Sequence, residues 1–270
     1  MKGGAASASA LAYAEAMSND DLRGELERAM AANELVLYYQ PRVLVDTLVM
    51  RGVEALPRWR HPSRGILTPL EFLEQAQGAV MRDLEAWVIQ AALLQAAAWR
   101  ADGLRAGVSV NVDPRLLRDE GFLRLFEQTL KVQGDPTTLT IEIAAPALRD
   151  DRPREALDRL RAHGSRLALD DVTDIAQLDA AAWTAWDYVK LGRAVVAPAP
   201  TDAAAAKRLR AITERTSSLG VRTVGMGVED DATLELLRQL GVFLAQGYAI
   251  APPLEVGEVT EWAAGRGRPA

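Results

Sequence analysis

The sequence contains no cysteine and only two histidines, His61 and His163. No disulfide and no thiolate metal site can form. The histidines stand too far along the chain from any run of ligands to suggest zinc or a general base, and solvated or capping positions are expected for both. Long apolar runs are also missing. No stretch reaches the length that spans a bilayer, which points to a soluble chain, and together with the missing cysteines this fits a cytoplasmic one. Residues 1–16 hold one Lys among many Ala and Ser, without the apolar centre and cleavage pattern of a secretory signal. Positive charge is in deficit: 31 Lys and Arg face 37 Asp and Glu, for a net charge of −6. That balance argues against a general nucleic-acid surface. It leaves room for an anionic ligand wherever metal ions or a local Arg/Lys cluster supply positive charge.

The chain is 270 residues long and 49% apolar, enough for one large α/β barrel or two small domains. Residues 1–18 are rich in Ala, Ser and Gly and read as a linker. Residues 19–33 read as a linker helix, with Asn19 or Asp20 as cap and Leu22, Leu26, Ala29 and Met30 at helical spacing. Strands are expected over 35–43 and 50–58, joined by a turn at Asp46-Thr47 and paired antiparallel. Helices follow over 69–77 and 81–101. From there strands at 107–112, 138–143, 166–170, 188–191, 222–226 and 243–248 alternate with helices at 114–132, 152–163, 203–219 and 231–240. Repeated βα units argue for a parallel sheet. A barrel domain over 34–256 and a tail over 257–270 complete the division, with no internal repeat. Asp150-Asp151 and Asp230-Asp231 read as helix starts. Trp59, Trp87, Trp99, Trp183 and Trp186 are expected in the core or in helix packing, and Lys207, Arg208 and Arg210 on a wet helix face.

The most informative stretch runs from Gly52 to Pro62, GVEALPRWRHP. Strand alternation places Glu54, Leu56 and Arg58 on one side. By itself this is an edge strand with solvated charges. Later strands change that reading, because Asn111, Glu142, and Asp170 with Asp171 also stand at strand ends among apolar neighbours. Charged groups seldom lie in such surroundings without a partner. Barrel enzymes build their sites at the ends of strands, and carboxylates gathered on one rim repel unless cations lie between them. An oxygen ligand set of this kind suits Mg²⁺ or Mn²⁺.

Tyr39-Gln40-Pro41, Glu54-Ala55-Leu56, Arg58-Trp59 and His61-Pro62 resemble the EAL domain, the family that hydrolyses cyclic di-GMP in bacterial signalling. The resemblance extends from about Glu34 to about Pro253. It implies a TIM-like (β/α)8 barrel whose first strand is antiparallel. It also implies that Glu54, Asn111, Glu142 and Asp170 hold a first metal, and that Asp170, Asp171 and a glutamate on the seventh strand hold a second. Lys190 and Gln246 take the family positions that hold the attacking water. Arg58 matches a phosphate partner, and Gln40 and Leu56 match ligand-binding positions. The helix over 19–33 resembles the one that joins a GGDEF domain to an EAL domain, so a covalently linked upstream signalling domain is expected.

Three departures from the family pattern bear on function. The seventh-strand glutamate is Met226, in Gly225-Met226-Gly227-Val228-Glu229. A thioether cannot replace a carboxylate on Mg²⁺, and Glu229 stands off the ligand position. The second glutamate of Glu-x-x-Glu is Ala145. The Asp-Asp-Phe-Gly-Thr-Gly loop is replaced by Asp170-Asp171-Val172-Thr173-Asp174-Ile175, without its glycines, and Lys-Ile-Asp becomes Lys190-Leu191-Gly192. The resemblance therefore implies a degenerate member with Mg²⁺ or Mn²⁺ at one site and an incomplete second. The expected function is a regulatory module that binds cyclic di-GMP through Gln40, Glu54, Leu56, Arg58, Asn111, Asp170 and Glu229 without hydrolysing it. A protein-interaction module that binds no nucleotide ranks second, and a weak Mg²⁺/Mn²⁺ phosphodiesterase third.

Overall fold

The computed structural model describes residues 19–73, 76, 78–133, 138–148 and 153–265. The expected linker over 1–18, the helix start at Asp150-Asp151 and the last five residues of the expected tail lie outside them, as do the side chains of Asn19 and Asp20. The chain divides into two compact units, one of residues 1–36 and 57–85 and one of residues 37–56 and 86–270.

The larger unit is a closed eight-stranded barrel. The barrel strands are β1 (Leu35–Leu44), β2 (Met50–His61), β4 (Gly107–Asn111), β5 (Leu139–Ala144), β6 (Arg166–Val172), β7 (Tyr188–Leu191), β8 (Arg222–Gly225) and β9 (Leu244–Ala245), of which residues 35–36 of β1 and 57–61 of β2 fall in the smaller unit. Pairing runs β2-β4-β5-β6-β7-β8-β9, all parallel, and β1 closes the ring between β9 and β2. β1 is antiparallel to β9. The turn between β1 and β2 is tight, with Leu44 and Leu48 each bonded across it at 2.9 Å. β5 is buried along five of its six residues, as a parallel strand covered on both faces should be. Val108, Val110, Ile141, Ile143, Leu167, Leu169, Val189 and Leu191 form this core.

Helices cover the barrel where caps and apolar spacing allow. The helix Ala203–Ser218 starts at Asp202, which accepts from Ala204 N at 2.8 Å, and buries Leu209, Ile212 and Thr216. Lys207, Arg208 and Arg210 lie on its exposed face. The single helix expected over 114–132 is two: a 3-10 turn Pro114–Arg118 and a helix Glu120–Gln133. Asp119 breaks them apart. Its backbone is extended, and its carboxylate caps the second helix through Gly121 N (2.7 Å) and Phe122 N (3.1 Å). The strand expected over 243–248 shortens to two residues. The segment Val256–Gly265, read from sequence as tail from residue 257 on, is a helix that buries Val259 and Ala263. Trp99 and Trp186 are buried, and Trp87 and Trp183 are half-buried.

The smaller unit holds the helix Asn19–Ala31, the distal part of β2, the short strand β3 (Gly65–Leu67), the helix Pro69–Phe72 and the first turns of the helix Ala79–Ala101. β3 pairs antiparallel with Trp59–His61. Trp59 is buried, lies edge-on to Phe72 and donates to Glu34 Oε2 at 2.9 Å. His61 stacks against Trp59 and lies 3.4 Å from Glu25 Oε2, a supported position rather than a solvated one.

Candidate functional site

Parallel register determines which polar residues meet at the carboxyl ends of the barrel strands. Glu54 pairs with Ser109, Asn111 with Glu142, Ala144 with Asp170, and Lys190 with Val224. The polar side chains of five neighbouring strands are thereby delivered to one layer. Lys190 stands at its centre. Its ammonium lies 3.3 Å from Glu54 Oε2 and 3.3 Å from Asp170 Oδ1, and it contacts Glu142 Oε2 directly. Asn111 Nδ2 donates to Glu54 Oε1 at 2.8 Å. Gln246 Nε2 donates to Glu54 Oε2 at 2.8 Å and to Gln40 Oε1 at 2.9 Å, and Gln40 Nε2 donates to Ala251 O at 3.0 Å.

These positions are deep. Glu142, Lys190 and Gln246 are each 1% exposed and Glu54 5%, so every charge there needs a partner. Burial alone would raise Glu54, but Lys190 and the amides of Gln246 and Asn111 hold it at about 2. Glu142 moves the other way. Burial and the charges of Glu54 and Asp170 push it up, to about 7, against the pull of Lys190 and Arg42. Lys190 is raised because Asp170, Glu142 and Glu54 together outweigh its own desolvation.

Arg42 was not singled out in the sequence. It is 5% exposed, its Nη1 lies 3.3 Å from Glu142 Oε1, and its Nη2 donates to Val53 O at 3.3 Å. The signal available was alternation along β1, which puts Arg42 on the same face as Gln40.

Asp170 and Asp171 part company at a bulge. The register of β6 against β7 shifts between Leu169 and Val172, and Asp171 has φ +54°, a left-handed conformation that Asp tolerates. Asp171 N donates to Asp170 Oδ1 at 2.8 Å. The Asp171 carboxylate lies over Gly192, where a Cβ would come within 2.4 Å of Oδ1. A side chain at position 192 is therefore incompatible with this arrangement. Burial and Asp170 raise the pKa of Asp171.

The loop after β6 is organised without glycine. Asp174 caps the helix Ile175–Ala181 by accepting from Gln177 N at 2.8 Å. Gln177 Oε1 returns to Thr173 N (2.7 Å) and Asp174 N (3.2 Å), completing a capping box. The short turn Ala145–Leu148, with Ala145 buried, packs against that helix and β6.

At the seventh barrel strand the chemistry changes. Met226 is half-buried and its backbone N donates to Leu191 O at 3.1 Å. Glu229, two residues past Gly227, is exposed and salt-bridged to Arg193. A Cβ on Gly227 would meet Arg193 Cγ at 2.4 Å, and its φ of +68° favours glycine. Arg58 falls in the smaller unit, where its guanidinium donates to Pro57 O at 2.9 Å, and Leu56 is half-buried at the end of the barrel part of β2.

The donor set can be tested against a divalent cation. Three carboxylates converge on one point and Asn111 adds an amide, all hard oxygen donors. Gln246 Oε1 is buried with no hydrogen-bond partner beside them. A hard cation fits that point, and Lys190 supplies one positive charge to it now. Among the described residues, no group of three or more His, Cys, Asp or Glu is already arranged to hold a metal; at this point the Lys190 ammonium takes the place between the carboxylates. For a second, adjacent cation, position 226 offers a thioether and Glu229 is held by Arg193, so the residues present do not fit.

This geometry is that of a known family. A family model described as the EAL domain matches residues 23–253. A signalling protein of Caulobacter vibrioides is 33% identical over 247 residues, 90% of this chain and 30% of its own length. A cyclic di-GMP phosphodiesterase of Pseudomonas aeruginosa is 31% identical over 238 residues, 84% of this chain and 39% of its own. Among solved structures, the PaMucR phosphodiesterase in complex with c-di-GMP is 28% identical with a TM-score of 0.80, covering 88% of this chain and 99% of that one. The FimX EAL domain of Xanthomonas citri, at 20% identity and a TM-score of 0.77, covers 87% of this chain and 95% of that one and shares the fold. The chain belongs to the EAL domain family of cyclic di-GMP signalling. Phosphodiesterases of this family use Mg²⁺ or Mn²⁺. The chain spans between 30% and 39% of the length of these two curated relatives.

Proposed function

We propose that this chain is a degenerate EAL domain that binds cyclic di-GMP as a regulatory module and hydrolyses it slowly or not at all. The observation that carries the reading is the carboxylate missing at position 226, with the nearest substitute, Glu229, salt-bridged to Arg193. Glu54, Asn111, Glu142 and Asp170 would hold one Mg²⁺ or Mn²⁺, which would neutralise phosphate charge when bound. Losing one element of a preorganised charge-stabilising site costs a factor of about 10²–10³ in rate. Ligand affinity needs shape and charge complementarity and survives that loss. Gln40, Asn111, Asp170 and Leu56 supply the ligand contacts in this reading. The chain acts as a cytoplasmic piece of a longer signalling protein, with a covalently linked upstream domain such as GGDEF.

A second reading, a protein-interaction module that binds no nucleotide, draws support from Lys190, which offsets part of the carboxylate charge without any ligand. Two measurements decide. Purified protein with Mg²⁺ or Mn²⁺ and cyclic di-GMP is followed by chromatography, and turnover on the order of 1 s⁻¹ or more overturns the degenerate reading. Calorimetric titration with cyclic di-GMP, with and without Ca²⁺, separates the other two: saturable heat supports the regulatory module, and its absence at millimolar ligand supports the interaction module.

A further inference from the structure

At the opposite mouth of the barrel, where the parallel strands begin, the charge is reversed. Arg166 and Arg222 are the first residues of β6 and β8, Arg51 and Arg105 lie beside the starts of β2 and β4, and Arg42 reaches the same place from antiparallel β1. All five line one pocket of about 180 Å³, together with Thr140, and no Asp or Glu lines it. In a protein of net charge −6 this is a concentration of one sign that repels itself until an anion enters. No carboxylate pairs with Arg51, Arg105 or Arg166 among the described residues, and Arg222 lies over the Phe243 ring at 4.9 Å.

Two further features make this more than a charged rim. Arg42 is nearly fully buried, and its Nε has no hydrogen-bond partner, although Nη1 and Nη2 are committed to Glu142 and Val53 O. The wall of the pocket near Arg42 is a close backbone approach between paired glycines, Gly52 and Gly107. A Cβ on Gly52 would meet Gly107 O at 2.6 Å and Arg42 Nη2 at 3.2 Å.

We propose that the amino-end mouth of the barrel is an anion site that takes a diphosphate group, either as free pyrophosphate or as the tail of a nucleotide. Guanidinium forks match phosphate oxygens two at a time, and several forks around one mouth suit more than one phosphorus centre. The pocket is below the ~300–1,000 Å³ of sites that enclose drug-sized ligands. It admits a small polyanion and leaves a nucleoside outside. The site lies at the other end of the strands from the carboxylate layer and stands whether or not that layer binds cyclic di-GMP.

The test is calorimetric titration of the full chain with pyrophosphate, and in parallel with GTP, in EDTA so that no divalent cation recruits phosphate to the carboxyl end. One-site saturation that weakens with added salt is expected. The Arg166→Ala/Arg222→Ala double variant, altered only at exposed strand starts, should bind at least about tenfold more weakly, each lost charged hydrogen bond being worth roughly that factor. Its melting temperature reports folding, and Arg51→Gln/Arg105→Gln provides a second variant. GTP binding as tightly as pyrophosphate assigns the nucleotide tail, and exclusion of GTP assigns the free anion. No saturation by millimolar pyrophosphate, or undiminished binding by both folded variants, overturns the proposal.

Discussion

Replacing Lys190 with methionine keeps the length and apolar stem of the side chain and removes its charge. In the folded protein that ammonium is 1% exposed and serves Glu54, Glu142 and Asp170 together. At the effective dielectric of protein interiors, each 3.3 Å contact is worth about 5 kcal/mol before desolvation is subtracted. Desolvation of the ammonium and repulsion among the carboxylates cancel much of this. Breaking a buried pair from one side costs about 3–5 kcal/mol net, because the remaining charges stay buried without a partner. For a domain of this size, that lowers the melting temperature by about 6–20 °C. The carboxylates then need another cation. Mg²⁺, Mn²⁺ or Ca²⁺ at about 100 times its dissociation constant should return roughly 2.7 kcal/mol, and the variant should gain more from the ion than the parent chain does. Urea and thermal unfolding of both proteins, in EDTA and in millimolar divalent ion, measures this. A Lys190→Met protein within about 1 kcal/mol of the parent in EDTA, or equal stabilisation of both by divalent ions, would refute the reasoning.

Met226→Glu restores a carboxylate at the seventh barrel strand and should raise Mg²⁺- or Mn²⁺-dependent hydrolysis of cyclic di-GMP by about tenfold or more, short of the 10²–10³ of a full site because the loop after β6 still differs. Chromatography of the product checks it, and unchanged turnover would mean that position 226 is not what limits the rate. Gly247→Ala places a Cβ 2.1 Å from Val228 O and 2.2 Å from Val228 N. Backbone cannot yield there cheaply, so a loss of about 3 kcal/mol or more is expected, with Gln246 displaced. Gly257→Ala, with nothing near its Cβ in the helix Val256–Gly265, should instead gain up to about 1 kcal/mol; chemical denaturation of the pair compares them. Asp174→Ala removes the cap of the helix Ile175–Ala181 and should cost about 1 kcal/mol, read as a drop of about 2–4 °C in melting temperature.

The sequence by itself determined the repeated βα units and hence a parallel sheet; closure into a barrel followed from the resemblance to the EAL domain and not from spacing. The oxygen side chains at strand ends stood out because apolar neighbours give an unpaired charge nowhere to go. Even there, local chemistry could mislead: Asp119 divides a segment whose apolar spacing reads as one helix. What only the tertiary structure decided concerns partners far apart in the chain. That Lys190 sits between three carboxylates, that Arg42 backs Glu142 from a strand a hundred residues away, and that Arg193 holds Glu229 are matters of register and closure. The five arginines of the amino-end mouth are spread from position 42 to 222 and form no cluster along the chain. Coulomb interactions act through space over a few ångströms, and only closing the barrel brings residues so distant in sequence within that range.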